Sequence, residues 1–264
     1  MNSDRITERQ IDISNPVQEE FRNWIYNQME HQGYSESKKL FWAQYMLDTS
    51  RPEKIVKDFF SDLNLPIKKG HRALDVGCGF GSLLIALQPY FEKVYGIDIN
   101  ETYVQWSRKR APHSEVIHAN ATKLPWPNEW FDLICATDMF EHIDYNQQQL
   151  VTSELMRVLK PGGYGIIIVP NRFQILDEHN KVLFGTWLPT SKREFYVRAL
   201  SKNQHFDKCW ERTGSGWKNL FNNQGFQVTL KSHFMKGWNF LKYFLVPPNR
   251  YKLYIMKNSE LISS

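Results

Sequence analysis

The chain has 264 residues, 42% hydrophobic and 23% charged, which suits one large α/β domain with additions and excludes pervasive disorder. Its net charge of +5 is uneven: from Arg172 onward 15 Lys and Arg face 6 Asp and Glu, while the part before is net negative. Its 3 cysteines, Cys78, Cys135 and Cys209, are odd in number and lack a CxxC pair, so neither a disulfide framework nor a metal site is expected, only buried thiols in a reducing compartment.

The opening "MNSDRITERQ" is polar and mixed in charge, without the pattern of a secretory signal. The longest apolar runs, "YGIIIVP" and "FLKYFLVPP", fall well short of the roughly 20 residues a spanning helix needs, so a cytoplasmic protein with no transmembrane segment is expected. Residues 1–68 read as a helical cap. In "VQEEFRNWIYNQM" the spacing puts Phe21, Trp24, Ile25 and Met29 on one helix face. "SESKKLFWAQYML" and "PEKIVKDFFSDL" follow as helices, the second with Pro52 suited to a first turn, and Pro66 to Gly70 form a break.

From residue 69 to 171 the pattern alternates strand and helix. Strand "RALDVG" precedes helix "SLLIALQPY", strand "KVYGIDI" precedes helix "ETYVQWSRKR", and strand "SEVIHA" precedes a proline-marked loop. Strand "FDLICAT" leads to helix "QQQLVTSELMRVL", which "KPGG" should stop before strand "YGIIIVP". Repeated units of this kind make a parallel sheet covered by helices on both faces. Residues 172–213 fit no sheet element and read as a lid insertion. Residues 214–264 return to the sheet through helix "GWKNLFNNQ" and strands "FQVTLKSHF" and "RYKLYIMK", interrupted by an insertion at 235–250.

The turn after the first strand reads "LDVGCGFG", with Gly77, Gly79 and Gly81 on alternate positions. In such sheets ligands bind beyond the carboxyl ends of the strands, and glycines there let the main chain bend tightly and come close to a ligand. An acid about 20 residues on, ending the next strand, is the expected partner of ribose hydroxyls. Asp98 ends "VYGID" at that distance. The spacing G-x-G-x-G departs from the dinucleotide pattern, and Asp75 two residues ahead of Gly77 would repel a pyrophosphate. A carboxylate there suits an ammonium group, which favours an adenosine carrying an amino acid.

At these residues the chain resembles a known family. "LDVGCGFG", "GIDI", "HANATKLPWPNEWFDLICATDMFEHI" and "LMRVLKPGGYGIIIVPN" are similar to the successive motifs of class I S-adenosylmethionine-dependent methyltransferases, of the small-molecule and quinone-type branch. The match is specific over about residues 70–171 and looser over 214–258. The resemblance implies a Rossmann-like, doubly wound seven-stranded sheet with the last strand antiparallel, carrying N-terminal helices and a lid insertion. It implies S-adenosylmethionine as cofactor, leaving as S-adenosylhomocysteine. Asp75, Gly77, Gly79 and Gly81, with Cys78 among them, would line its methionine portion, Asp98 would bind ribose, and Ile99 would flank adenine. Asn120 and Ala121 occupy the adenine-edge motif, where the family usually has Asp-Ala; an Asn carbonyl can still accept from the adenine amino group. Thr137 would lie near the methionine portion or the sulfonium. On the bland reading Cys78 and Phe80 only pack, and Asp75 only anchors the turn.

Methyl transfer from a sulfonium needs a nucleophile held in line, roughly 3–3.5 Å from the carbon, and a base only where the acceptor must lose a proton. His142 in "DMFEHI", just past the fourth strand, is the first candidate base, followed by Glu178 and His179 in "ILDEHNKVLFG". Glu141 is expected to face outward or anchor its loop. Rings such as Phe173, Phe184, Trp187 and Phe195 suit a small apolar acceptor, and Arg172, Lys192, Arg193 and Arg198 are candidate contacts for a phosphate or carboxylate on it. Secondary-metabolite methylation at O, N or C is the leading reading. An RNA methyltransferase, for which basic and aromatic residues would serve phosphates and bases, and a non-catalytic binding module stay open.

Overall fold

The computed structural model describes residues 15–63, 70–200, 206–233 and 247–258. Seven strands, β1 Arg72–Val76, β2 Lys93–Asp98, β3 Ser114–His118, β4 Phe131–Thr137, β5 Leu159–Pro170, β6 Phe226–His233 and β7 Arg250–Lys257, make one sheet in the order β3-β2-β1-β4-β5-β7-β6. β7 runs antiparallel to both β5 and β6. The expected seven-stranded sheet with its last strand reversed is therefore present. The chain divides into two compact units, Met1–Gly70 with Cys78–His118, and His71–Gly77 with Ala119–Ser264.

In the first unit, α1 Pro16–His31, α2 Glu36–Leu47 and α3 Ser50–Leu63 precede α4 Ser82–Leu87 and α5 Glu101–Arg110. Asn15 caps α1 by accepting from the Val17 N–H, ahead of a proline that needs no donor partner. Phe21 and Ile25 are buried as their spacing required, and pack with Ala43, Leu47 and Trp106. Trp24 and Phe80 close the group, with ring centroids 5.7 Å apart. α5 shows every terminal signal: Asn100 accepts from the Thr102 and Tyr103 N–H groups, Glu101 opens it, and Arg108, Lys109 and Arg110 end it against the helix dipole. α4 stops at Leu87, three residues before the expected end, and the residues that follow form a turn.

In the second unit, β4 buries four consecutive residues, Leu133 to Ala136, as a parallel strand covered on both faces must. It pairs in parallel with β1, Asp75 opposite Cys135, and with β5. The segment "KPGG" is a correction. α6 Tyr145–Val158 ends before it, yet these residues lie inside β5, where the register with β4 slips between Phe131 and Leu133. The slip gives the extra residues a place, Gly162 adopts φ +74°, and Lys160 reaches both carboxylate oxygens of Asp132 at 2.8 Å. Residues 172–213 hold a short 3-10 turn at Gly185–Trp187, α7 Thr190–Leu200 and two isolated bridges, consistent with a segment outside the sheet. α8 Gly214–Asn222 packs Trp217 and Phe221 inward. Most of the expected insertion at 235–250 lies outside the described residues. No described helix is long and apolar enough to cross a membrane.

The proline-marked loop between β3 and β4 is tied to α6 by one acid. Glu154 accepts from the Leu124 N–H and from two nitrogens of Arg157, each at 2.7 Å, while Arg157 donates to the Trp126 and Leu124 carbonyls. Arg157 holds the Glu154 carboxyl below its ordinary range. Stability from this group is therefore complete above the ordinary carboxylate pKa and disappears as pH falls through the lower value of the folded state. Glu154→Gln is expected to cost about 2 kcal/mol at neutral pH, the size of a charged hydrogen bond. Urea unfolding of both forms should converge in strong acid; equal stability at neutral pH would rule the tie out.

Candidate active site

The glycine turn follows β1 into α4. Gly77, Gly79 and Gly81 all take positive φ, +74°, +51° and +81°. In the second unit, a Cβ on Gly77 would stand 2.6 Å from Cγ of Met139, so the backbone here passes directly against the residues that follow β4. In the first unit, a Cβ on Gly81 would meet the backbone Cα of Ser107 at 3.2 Å. Both positions combine a left-handed backbone with a close approach, and only glycine satisfies the two together.

Within the first unit the turn is held by Asp98 and by α5. The Gly79 N–H donates to the Asp98 carboxylate at 2.9 Å, and the Asn100 N–H donates to its other oxygen at the same distance. Ser107 donates to the Gly79 carbonyl at 2.6 Å, and Arg110 donates to the Phe80 carbonyl at 2.6 Å. Arg110 also lies over the Phe21 ring, 4.5 Å from its centroid, and burial pushes its guanidinium down to about 10. Ser107 and Arg110 support the turn and were not singled out from the sequence. Their one legible signal is a three-residue spacing that puts two polar groups on the buried face of α5. Cys78 is buried, 3.8 Å from the Ser107 hydroxyl, and Phe80 packs on Tyr103. Tyr103 itself is held above its ordinary pKa by burial and by the Asp98 charge. Ile99, beside that acid, is 69% exposed, an apolar side chain with a free face.

In the second unit Asp75 is buried on β1 and Thr137 is half-buried at the end of β4. Asn120 is exposed, and its carbonyl accepts from both the N–H and the hydroxyl of Thr122, each at 2.9 Å. Both lone pairs of that oxygen are thus spent on the local turn, which leaves the adenine-amino role read from the sequence without an acceptor in this conformation.

The candidate bases separate. His142 lies in a 3-10 turn, Phe140–His142, three residues beyond Met139, and its N–H donates to the Met139 carbonyl. His179 stands beside it, ring centroids 5.0 Å apart and planes nearly perpendicular. Glu178 is elsewhere: both its oxygens are taken, by Asn249 at 3.0 Å and by Arg250, which also pairs with Asp138. A carboxylate held by a guanidinium is a poor base, so the ion pair removes Glu178 from the group. Glu141 is a correction too. Of the two expectations, facing outward or anchoring its loop, the first fails: it is fully buried, because its turn is roofed by the segment whose Trp210 N–H donates to the Glu141 carbonyl at 2.7 Å.

Electrostatics follow from these positions. Burial pushes the Glu141 carboxyl up to about 7. His142 is exposed at its outer face, yet the packing of its ring, which withdraws it from water, and the neighbouring His179 lower it. Withdrawal from water acts to lower His179 as well, but its bond to Asp207 and the charge of Glu141 outweigh that and raise it. Burial holds the Cys209 thiol above its ordinary range. Of the candidate anion contacts, Arg193 is buried and paired with Glu211 at 2.7 Å, so it belongs to the interior. Arg198 pairs with Glu194 on the exposed face of α7. Phe173, Phe184 and Trp187 form an exposed ring group, edge to face at 5.6 and 5.2 Å.

The sheet order, the glycine turn and the acid ending β2 are similar to those of class I S-adenosylmethionine-dependent methyltransferases. Residues 74–167 match a family profile described as a methyltransferase domain. A probable S-adenosylmethionine-dependent methyltransferase of Mycolicibacterium smegmatis is 35% identical over 132 residues, 50% of this chain and 47% of that protein. A demethylmenaquinone methyltransferase of Lysinibacillus sphaericus is 32% identical over 42% of this chain and 50% of its own. The 27-O-demethylrifamycin SV methyltransferase of Amycolatopsis mediterranei is 34% identical over 38% of each chain. The chain thus spans about half the length of the first curated relatives it matches. Among solved structures, a protein from Pyrococcus horikoshii aligns with a TM-score of 0.56 at 21% identity, covering 79% of this chain and 90% of that one. An S-adenosylmethionine-dependent methyltransferase from Methanosarcina mazei aligns at 0.52 and 18%, over 73% and 95%. At such identities the likeness is one of fold. The cofactor of this family is S-adenosylmethionine, and an acid beside a free apolar face, at the end of β2, fits its nucleoside half.

Gly81→Ala should destabilise the chain by at least about 1–2 kcal/mol, since an L side chain is strained at this φ and the opposing atom is backbone. Denaturant unfolding is the measurement, and a change below about 0.5 kcal/mol would contradict the close approach to Ser107.

Proposed function

We propose that this chain transfers a methyl group from S-adenosylmethionine to a small, largely apolar organic acceptor. The observation that carries the reading is the Asp98 carboxylate, nearly buried at the end of β2 and already accepting from the turn at Gly79. An acid so placed, its position set by two backbone donors, is suited to take the two ribose hydroxyls. Ile99 offers its exposed face to the adenine. When bound, the cofactor supplies a methyl group on a sulfonium, already activated toward a nucleophile.

What the chain adds is binding, exclusion of water and custody of a proton. His142 and His179 are assigned to the acceptor side, where a free imidazole can take the proton of a hydroxyl as the bond to carbon forms. The position of His142 three residues past Met139, itself against Gly77, supports this. The ring group of Phe173, Phe184 and Trp187 supports an apolar acceptor, as do relatives named for demethylmenaquinone and 27-O-demethylrifamycin SV. The pairing of Arg193 and Arg198 with acids weakens the case for an anionic group on it.

Calorimetric titration with S-adenosylhomocysteine tests the reading. Asp98→Asn should weaken binding about ten- to a hundredfold, the loss of a charged hydrogen bond. His142→Gln should leave that affinity within twofold while turnover falls by about a hundredfold or more. Equal affinity in Asp98→Asn and the unaltered chain would sink the proposal.

A further inference from the structure

Three turns of the second unit bring a second set of chemistry-bearing side chains together. Glu141 and His142 come from the 3-10 turn after β4, His179 from the turn after β5, and Asp207 and Cys209 from the segment before α8. Each is fixed by its own backbone contacts. Asp177 accepts from the N–H groups of His179 and Asn180, both at 3.0 Å. Asn180 and Asp207 bond reciprocally, the Asn180 side-chain N–H to the Asp207 backbone carbonyl at 3.0 Å and the Asp207 backbone N–H to Oδ1 of Asn180 at 2.9 Å. Gln148 donates to the carbonyls of Phe140, Ile143 and Trp210 and so locks the first and third turns to each other.

The donor atoms of Glu141, His142 and His179 all lie within 4.8 Å of one another. Nε2 of His179 is 3.9 Å from Oε1 of Glu141, too far for a hydrogen bond. In a tetrahedral site two donors about 2.0–2.2 Å from the ion stand about 3.4 Å apart, so this pair has to close by about 0.5 Å to share one. Nδ1 of the same ring lies 3.3 Å from the Asp207 carboxylate, which orients it and leaves Nε2 as the free donor, the usual backing of a metal-bound histidine. A separate observation points the same way. Among the described residues neither carboxylate oxygen of Glu141 has a hydrogen-bond partner, although the side chain is fully buried. Burying an acid without partners is costly, and a cation shared with the two imidazoles would remove the deficit. His142 is exposed, so the cluster runs from a buried acid to solvent and an ion has a way in.

We propose that Glu141, His142 and His179 form a binding site for a divalent transition-metal ion of the zinc class, with one coordination position left for an oxygen ligand. Imidazole donors with a thiol at hand, Cys209 Sγ at 3.9 Å from Nδ1 of His142, favour zinc or cobalt over magnesium or calcium. Three protein donors and an open position characterise zinc sites that do chemistry, whereas structural sites are closed by four. The site is independent of cofactor binding but shares His142 and His179 with the proposed acceptor side, so an ion bound there would replace free imidazole as the group that handles an acceptor oxygen.

The test uses the full chain, free of any histidine tag and stripped of metal, titrated with Zn²⁺ by calorimetry and with Co²⁺ by visible absorption. One equivalent should bind, Co²⁺ should give tetrahedral d–d bands, and Mg²⁺ in excess should not compete. His179→Ala and the isosteric Glu141→Gln should each weaken binding more than about tenfold, and Asp207→Asn about ten- to a hundredfold through its hold on His179. Circular dichroism of the metal-free variants separates loss of a ligand from loss of fold, and Glu141→Gln serves where His179→Ala unfolds. Binding that is absent, not one to one, or unaltered in Glu141→Gln would overturn the site. So would a site lost in Cys209→Ser yet kept in His179→Ala. S-adenosylhomocysteine titration of the same metal-free chain reports separately on the cofactor, so failure of one reading leaves the other measurable.

Discussion

A single carboxylate organises the turn on which the functional reading of this chain depends. Asp98 closes β2 and accepts two backbone N–H groups, one from the glycine turn and one from the start of its own helix connection. Those donors fix both the charge and its direction before any ligand arrives, which is how a site avoids spending binding energy on its own ordering. Beneath it, Ser107 and Arg110 hold the carbonyls of the same turn from α5, and Arg110 reaches on to the aromatic cluster of α1. In the first unit, then, the N-terminal helices stabilise the helix that stabilises the turn. Their contribution to function is indirect, through the rigidity of a loop that glycine alone would leave loose.

The second unit solves a different problem, the burial of polar groups outside regular structure. The segment 172–213 follows β5 without joining the sheet, so its backbone and side chains need local partners. Asp177, Asn180, Asp207, Gln148 and the Arg193–Glu211 pair supply them. This interior engages two arginines of the last third. Arg193 balances an internal acid, and Arg212 donates to Gln148 at 2.7 Å. It also holds Glu141, a buried acid beside two imidazoles, with neither oxygen hydrogen-bonded among the described residues.

Most elements were legible because their signals are local. Helix α5 carried an Asn cap, an acid in the first turn and three bases in the last, and β4 carried a continuous apolar run. The Gly77 to Asp98 spacing was legible because the βα turn and the next strand end are one structural unit. Local signals failed where a partner strand decided. "KPGG" reads as a stop in any context, yet a slip in the β4–β5 register carries it inside a strand. Glu141 reads as an acid that either faces outward or anchors its loop, and only a segment 69 residues further on, through the bond from Trp210, decides that it is covered. Glu178 and His179 are adjacent and looked interchangeable, but successive side chains in that turn point to different partners, one to Arg250 and one to Asp207.

By itself the sequence determined the order of strands and helices, the bend that only glycine tolerates, and the acid set 21 residues after Gly77. Each of these is written in spacing and in backbone preference, which act over a few residues. Tertiary structure alone decided which acids are free, which arginines are spent inside, and that Glu141, His142 and His179 meet. Those outcomes depend on pairs of residues far apart in the chain, and long-range pairing sets burial and charge in a way no local pattern records.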